Sequence, residues 1–130
     1  MATNVAMVAG SSPDGKVAVG VSDLDACVWQ EGKRFICRWP DGEFVNGTAF
    51  DATNSGFVVG DCEVDERPQG FIWHAKWRGA ASIRSFIAER TSDIGFNLTH
   101  DLRISEHDGT LYITGASPRG VVAIATIAKV

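Results

Sequence analysis

The sequence predicts an all-β fold of three antiparallel meanders with one short helix near residues 82–90. Three observations carry this reading. A phrase recurs as "DGKVAVG" (14–20), "NSGFVVG" (54–60) and "DGTLYITG" (108–115), each coupling turn residues to a β-branched run that ends in glycine. Glycine is abundant, with 14 in 130 residues, which suits many short strands and tight turns. Helix-compatible periodicity is confined to one stretch, "SIRSFIAER".

The elements follow in order. The first unit, about residues 5–43, opens with a strand at 5–9. Asp14-Gly15 then reads as a type I′ turn, since both central residues of that turn need positive φ. "VAVG" follows, and Gly20 marks a bulge or a close backbone approach, as do Gly60 and Gly115 later. A hairpin joins 26–30 to 34–38 around Glu31-Gly32-Lys33, which sets Cys27 opposite Cys37 and Trp29 opposite Phe35. The three cysteines, 27, 37 and 62, have no C-x-x-C spacing and are read as reduced, buried thiols. The second unit, about 44–97, has strands at 44–52 and 57–60 and a third that carries Trp73. Its fourth strand is replaced by a helix: Ser82 caps it, and Ile83, Phe86 and Ile87 fall at i, i+3, i+4. The third unit, about 98–130, has strands at 98–104 and 111–115 and a last one in "AIATIAKV", with Asp108-Gly109 as a type I′ turn and no fourth strand.

These units are propeller-blade-like, since roughly 40 residues is the size of a four-stranded blade. They are read as one domain, 1–130. Three blades do not close a ring. The chain is therefore expected to self-associate, most simply as a homodimer that completes six blades, or to seal its last unit with the strand at 5–9.

The pattern S-x-D-G-x-V-x-V-G followed by an aromatic strand resembles the HAF-type repeats of bacterial extracellular and autotransporter-associated proteins. The block "SIRSFIAERTSDIGFNLTHDLRISEHDGTLYITG", then "VAIATI", is similar to the closing section of such arrays. The resemblance spans most of residues 5–128, with Ala26-Cys27-Val28 and Gly70-Phe71-Ile72 at the positions of the eponymous His-Ala-Phe. It implies a propeller-like fold and no defined activity.

Composition narrows the function. The net charge is −4 and the 12 Lys and Arg are scattered singly, so no basic stripe for nucleic acid forms. No apolar run approaches the ~20 residues of a membrane span. "MATNVAMVAGSS" has no basic n-region, so the chain is expected to be cytoplasmic if complete and extracellular if a fragment of a larger protein.

His74, His100 and His107 have no nucleophile elbow or similar context around them. The expectation is a non-enzymatic protein-binding module, an inhibitor or adaptor, with no cofactor and no metal. Trp29 and Trp73 are expected in the core; Trp39, Trp77 and Arg78 are expected exposed, as interface anchors. The loops "SDLDA" and "DCEVDERPQ" take the same place in successive units, so Asp23, Asp25, Glu63 and Asp65 join the candidate interface. Calcium binding through these acids is the sharper reading and solvated loop charge the commoner one. A lectin-like carbohydrate binder is the alternative, and a hydrolase using His100 a weaker one.

Overall fold

A computed structural model describes residues 6–91 and 97–128; Val5, the first residue of the expected opening strand, lies outside them. Three antiparallel sheets form in chain order. The first holds β1 (Ala6–Ser11), β2 (Val17–Ser22), β3 (Asp25–Gln30) and β4 (Lys33–Ile36). The second holds β5 (Gly47–Ala52), β6 (Val58–Val64), β7 (Arg67–Trp73) and the two-residue β8 (Ala81–Ser82). The helix α1 (Ile83–Arg90) follows, then a third sheet of β9 (His100–His107), β10 (Thr110–Ala116) and β11 (Val122–Ile127). Every sheet is a simple meander, with sequence neighbours paired in space.

The second sheet lies between the other two. Val58, Cys62, Phe71 and Trp73 share one buried cluster with Val17, Val19, Ala26 and Val28 of the first sheet. Val59 and Ile72 share the other cluster with Leu102, Leu111 and Ile113 of the third sheet and with Ile83, Phe86 and Ile87 of the helix. Successive side chains on a strand point to opposite faces, so Val58-Val59 of β6 and Phe71-Ile72-Trp73 of β7 are apolar in succession because both faces are buried there.

The closing glycines are explained by space. Gly20 pairs with Val8 and Gly60 with Ala49, each beside a register shift in the opposing strand, and Gly115 lies at a similar shift between β10 and β9. A Cβ on Gly60 would strike the carbonyl oxygen of Thr48 and sit 2.8 Å from the Cα of Ala49. One on Gly115 would lie 2.9 Å from Leu102 Cδ2.

The turns divide into two kinds. Asp108 (φ 51°) and Gly109 (φ 79°) form the expected type I′ turn. The turn at Asp14-Gly15 differs. Gly15 N donates to Ser12 O at 3.0 Å and only Gly15 of the pair is left-handed, so this is a type I turn closed by glycine. The Ser12 hydroxyl decides it by accepting from Val17 N at 3.0 Å and donating to Asp14 at 2.7 Å. Thr53 does the same ahead of Gly56, accepting from Phe57 N, and Ser117 ahead of Gly120, accepting from Val121 N.

The first hairpin is shifted by one residue from expectation. Glu31 (φ 54°) and Gly32 (φ 74°) make a two-residue turn, whose twist matches that of the strands better than a three-residue loop centred on Gly32. Cys27 therefore faces Ile36, Trp29 faces Arg34, and Cys37 donates its N–H to Ala26 at 2.9 Å. The two thiols thus point to opposite sides of the sheet. All three cysteines are free and buried.

Trp73 is in the core, but Trp29 is half-buried and belongs to neither cluster. Trp39 and Trp77, expected exposed, are half-buried too. Trp39 packs on the first cluster, and Trp77 stacks between Phe57 (5.8 Å) and Phe86 (5.6 Å), since each finds apolar neighbours from a different element.

The helix lies where expected, with Ser82 Oγ accepting from Ser85 N at 3.1 Å and Ile83, Phe86 and Ile87 buried. It does not wholly replace the fourth strand: β8 pairs with β7 for two residues first. The third sheet has three strands. β1 pairs with β2, so the first strand does not seal it. No helix among the described residues is long and apolar enough to cross a membrane.

Two outcomes follow for experiment. Gly60→Ala should cost about 2 kcal/mol, because its Cβ meets backbone that cannot give way; a thermal melt matching wild type would contradict the close approach. Thiol titration should find all three cysteines free once the chain is unfolded and nearly unreactive while folded, because burial pushes each thiol pKa up.

Candidate functional site

The connection from β2 to β3 and that from β6 to β7 leave their sheets on the same side. Backbone bonds tie these ends together: Gly47 N donates to Leu24 O at 2.9 Å and Glu63 N to Asn46 O at 3.1 Å. The result is one rim that carries Asp23, Leu24, Asp25, Glu63 and Asp65. Four of these five were expected from sequence as interface acids.

Leu24 is the residue that sequence reasoning missed. It has φ 120° in the two-residue turn Asp23-Leu24, a region that bulky side chains almost never enter. It is also 75% exposed. The only available signal was a leucine where such a turn favours glycine or asparagine. The turn at Asp65-Glu66 is likewise left-handed without glycine (φ 52° and 63°).

Two depressions flank the rim. A groove of about 460 Å³ is lined by Trp39, Pro40, Asp41, Val64 and Gln69. It places Trp39 next to the hairpin that carries Glu63 and Asp65. On the other side, a cleft of about 380 Å³ gathers Leu24 from the first sheet, Asp61 and Glu63 from the second, and Thr99 and His100 at the start of the third.

The electrostatics are those of crowded acids. Burial raises the Asp61 carboxyl pKa; nearby His100 opposes this and Asp101 adds to it. Burial, then the charge of Asp23, raises Asp25. Cys62 in the cleft wall is pushed up to about 12 by burial and by Asp61, which leaves it no nucleophile. His100 Nδ1 lies 2.7 Å from Thr99 Oγ1. That hydroxyl is fully buried, so it orients the ring and is closed to a substrate.

The remaining candidates lie elsewhere. Trp77 and exposed Arg78 sit between β7 and β8, away from the rim. His74 contacts Ser55 O at 2.8 Å and His107 packs against Tyr112, both at the opposite end of the strands from His100. The three histidines therefore do not converge. Among the described residues no group of three or more His, Cys, Asp or Glu is arranged to hold a metal.

Comparison with family models, with curated proteins and with solved structures finds no match. The likeness to HAF-type repeats rests on the sequence phrases alone.

The raised Asp61 carboxyl has a signed consequence. The folded chain holds that proton to higher pH than the unfolded chain, so wild type loses stability as pH rises above the ordinary value of 3.8 and through the raised one. Asp61→Asn escapes this loss. Its melting temperature relative to wild type should climb as pH rises above about 4, and parallel pH profiles would disprove the assignment.

Proposed function

We propose that the chain is a non-enzymatic binding module, an inhibitor or adaptor, that holds another protein at this rim. Leu24 carries the reading. A bulky side chain in a glycine-like conformation costs of order 1–3 kcal/mol, and displaying it to solvent gains nothing for folding. Strain of this kind is retained where a contact needs it. Leu24 lines the cleft with Val21 and Pro68, and Asp23, Asp25, Glu63 and Asp65 stand on the same rim. That arrangement suits a partner with an apolar socket bordered by Lys or Arg. Self-association is a second, separate part of the reading, since three sheets leave outer faces and edges without neighbours.

The lectin-like alternative needs an open aromatic platform. Trp73 is in the core, which leaves Trp29, Trp39 and Trp77 with partly open faces, and no two of them share one of the two depressions. A glycan array tests that alternative.

Leu24→Gly separates function from folding. Relieved strain, about 1 kcal/mol or more, offsets the entropy that glycine gives the unfolded chain, about 0.5–1 kcal/mol. The melting temperature should hold or rise, while partner capture by a photo-crosslinker at Asp23 is lost. A crosslinker at Lys33, at the other end of the strands, is the control. Equal capture from both positions, or a clear drop in stability on Leu24→Gly, would overturn the proposal.

A further inference from the structure

The third sheet has an open edge of unusual composition. Residues 121–128, "VVAIATIA", contain no charge and no proline. The other outer strands each carry a device against pairing: β1, though uncharged with Met7 and Val8 exposed, and β5 are broken by bulges at Val8/Gly10 and Ala49/Asp51, β4 carries exposed Lys33 and Arg34, β9 carries Asp101, Arg103 and Glu106, and β8 is two residues long and runs into a helix. On β11 no such device is present, and among the described residues no strand pairs with its outer side.

The ladder shows which groups are free. Ser117 N donates to Val121 O at 2.9 Å, so hydrogen-bonded pairs to β10 recur at Ala123, Ala125 and Ile127. The N–H and C=O of Val122, Ile124 and Thr126 therefore point outward. Their side chains share the exposed face, with Val122 78% and Ile124 58% open. Ala125 and Ile127 face inward, in the cluster that α1 also fills.

This edge is complementary to itself. Antiparallel pairing about a two-fold axis at Ile124 sets Ile124 against its copy and Val122 against Thr126, β-branched residues throughout. About six backbone hydrogen bonds form, and no like charges meet within the strand. We propose that two copies join here, β11 to β11, making one six-stranded sheet from two of three strands. The inference rests on the self-association part of the reading above and is independent of the rim.

Disulfide trapping tests the register. A hydrogen-bonded antiparallel pair has Cα atoms about 5.5 Å apart, within disulfide reach. Ile124→Cys should give a covalent dimer under mild oxidation. Val122→Cys alone should not, but Val122→Cys mixed with Thr126→Cys should. The native thiols are buried and contribute little background. Sedimentation provides the second arm: wild type should be a dimer at high micromolar concentration, and Ile124→Lys a monomer with an unchanged melting temperature. A monomeric wild type overturns self-association and this edge together. A dimer that survives Ile124→Lys leaves self-association standing and overturns the edge. A dimer lost on Ile124→Lys but not trapped by Ile124→Cys overturns the register.

Discussion

The two-sided burial of the second sheet is the constraint on which the rest depends. Phe71 and Trp73 face one cluster while Ile72, between them, faces the other. A strand can do this only if sheets cover both its faces, so the outer sheets are held by the middle one. Among the described residues, no further strand pairs with the outer side of β1 in the first sheet or of β11 in the third. The buried core and the open outer edges thus arise from the same packing.

Polar ties at one end of the strands fix how the sheets meet. Asp14 N donates to Asn54 Oδ1 at 2.9 Å, Ser55 Oγ to Glu106 at 2.6 Å, and Ile104 N to Asp51 Oδ2 at 2.9 Å. These bonds cross from the first sheet to the second and from the second to the third. At the other end the ties are backbone bonds, such as Gly47 N to Leu24 O and Ala26 N to Val45 O. There, among the described residues, the acids of the turns form no ion pair, and Asp61, Thr99 and His100 border an open cleft. The side-chain ties thus gather at one end of the strands and the turn acids at the other.

The strain at Leu24 fits this division. The chain uses glycine at Gly15, Gly32, Gly56, Gly109 and Gly120, all turn positions with positive φ. It has the means to relax the β2–β3 turn and does not use it. The outlier stands at the rim, on the wall of the cleft.

Much of the fold was determined by the sequence alone. The β-branched phrases with closing glycines specify strands and close backbone approaches, because strand propensity and the lack of a Cβ are local properties. Ser82 with Ile83, Phe86 and Ile87 specifies the helix in the same way, through a cap and a 3.6-residue period. The acids of two successive turns were legible as one rim, since equivalent loops of like meanders emerge on one side. Tertiary structure decided the rest. Hairpin register depends on a one-residue choice of turn, and the choice of Glu31-Gly32 moved Cys37 to the opposite face from Cys27. Burial of Trp39 and Trp77 depends on neighbours distant in sequence, such as Phe57 and Phe86 beside Trp77. The cleft of Asp61 and His100 exists only because the second and third sheets pack, which no local pattern encodes. The φ of Leu24 is likewise set by the strands it joins rather than by leucine itself.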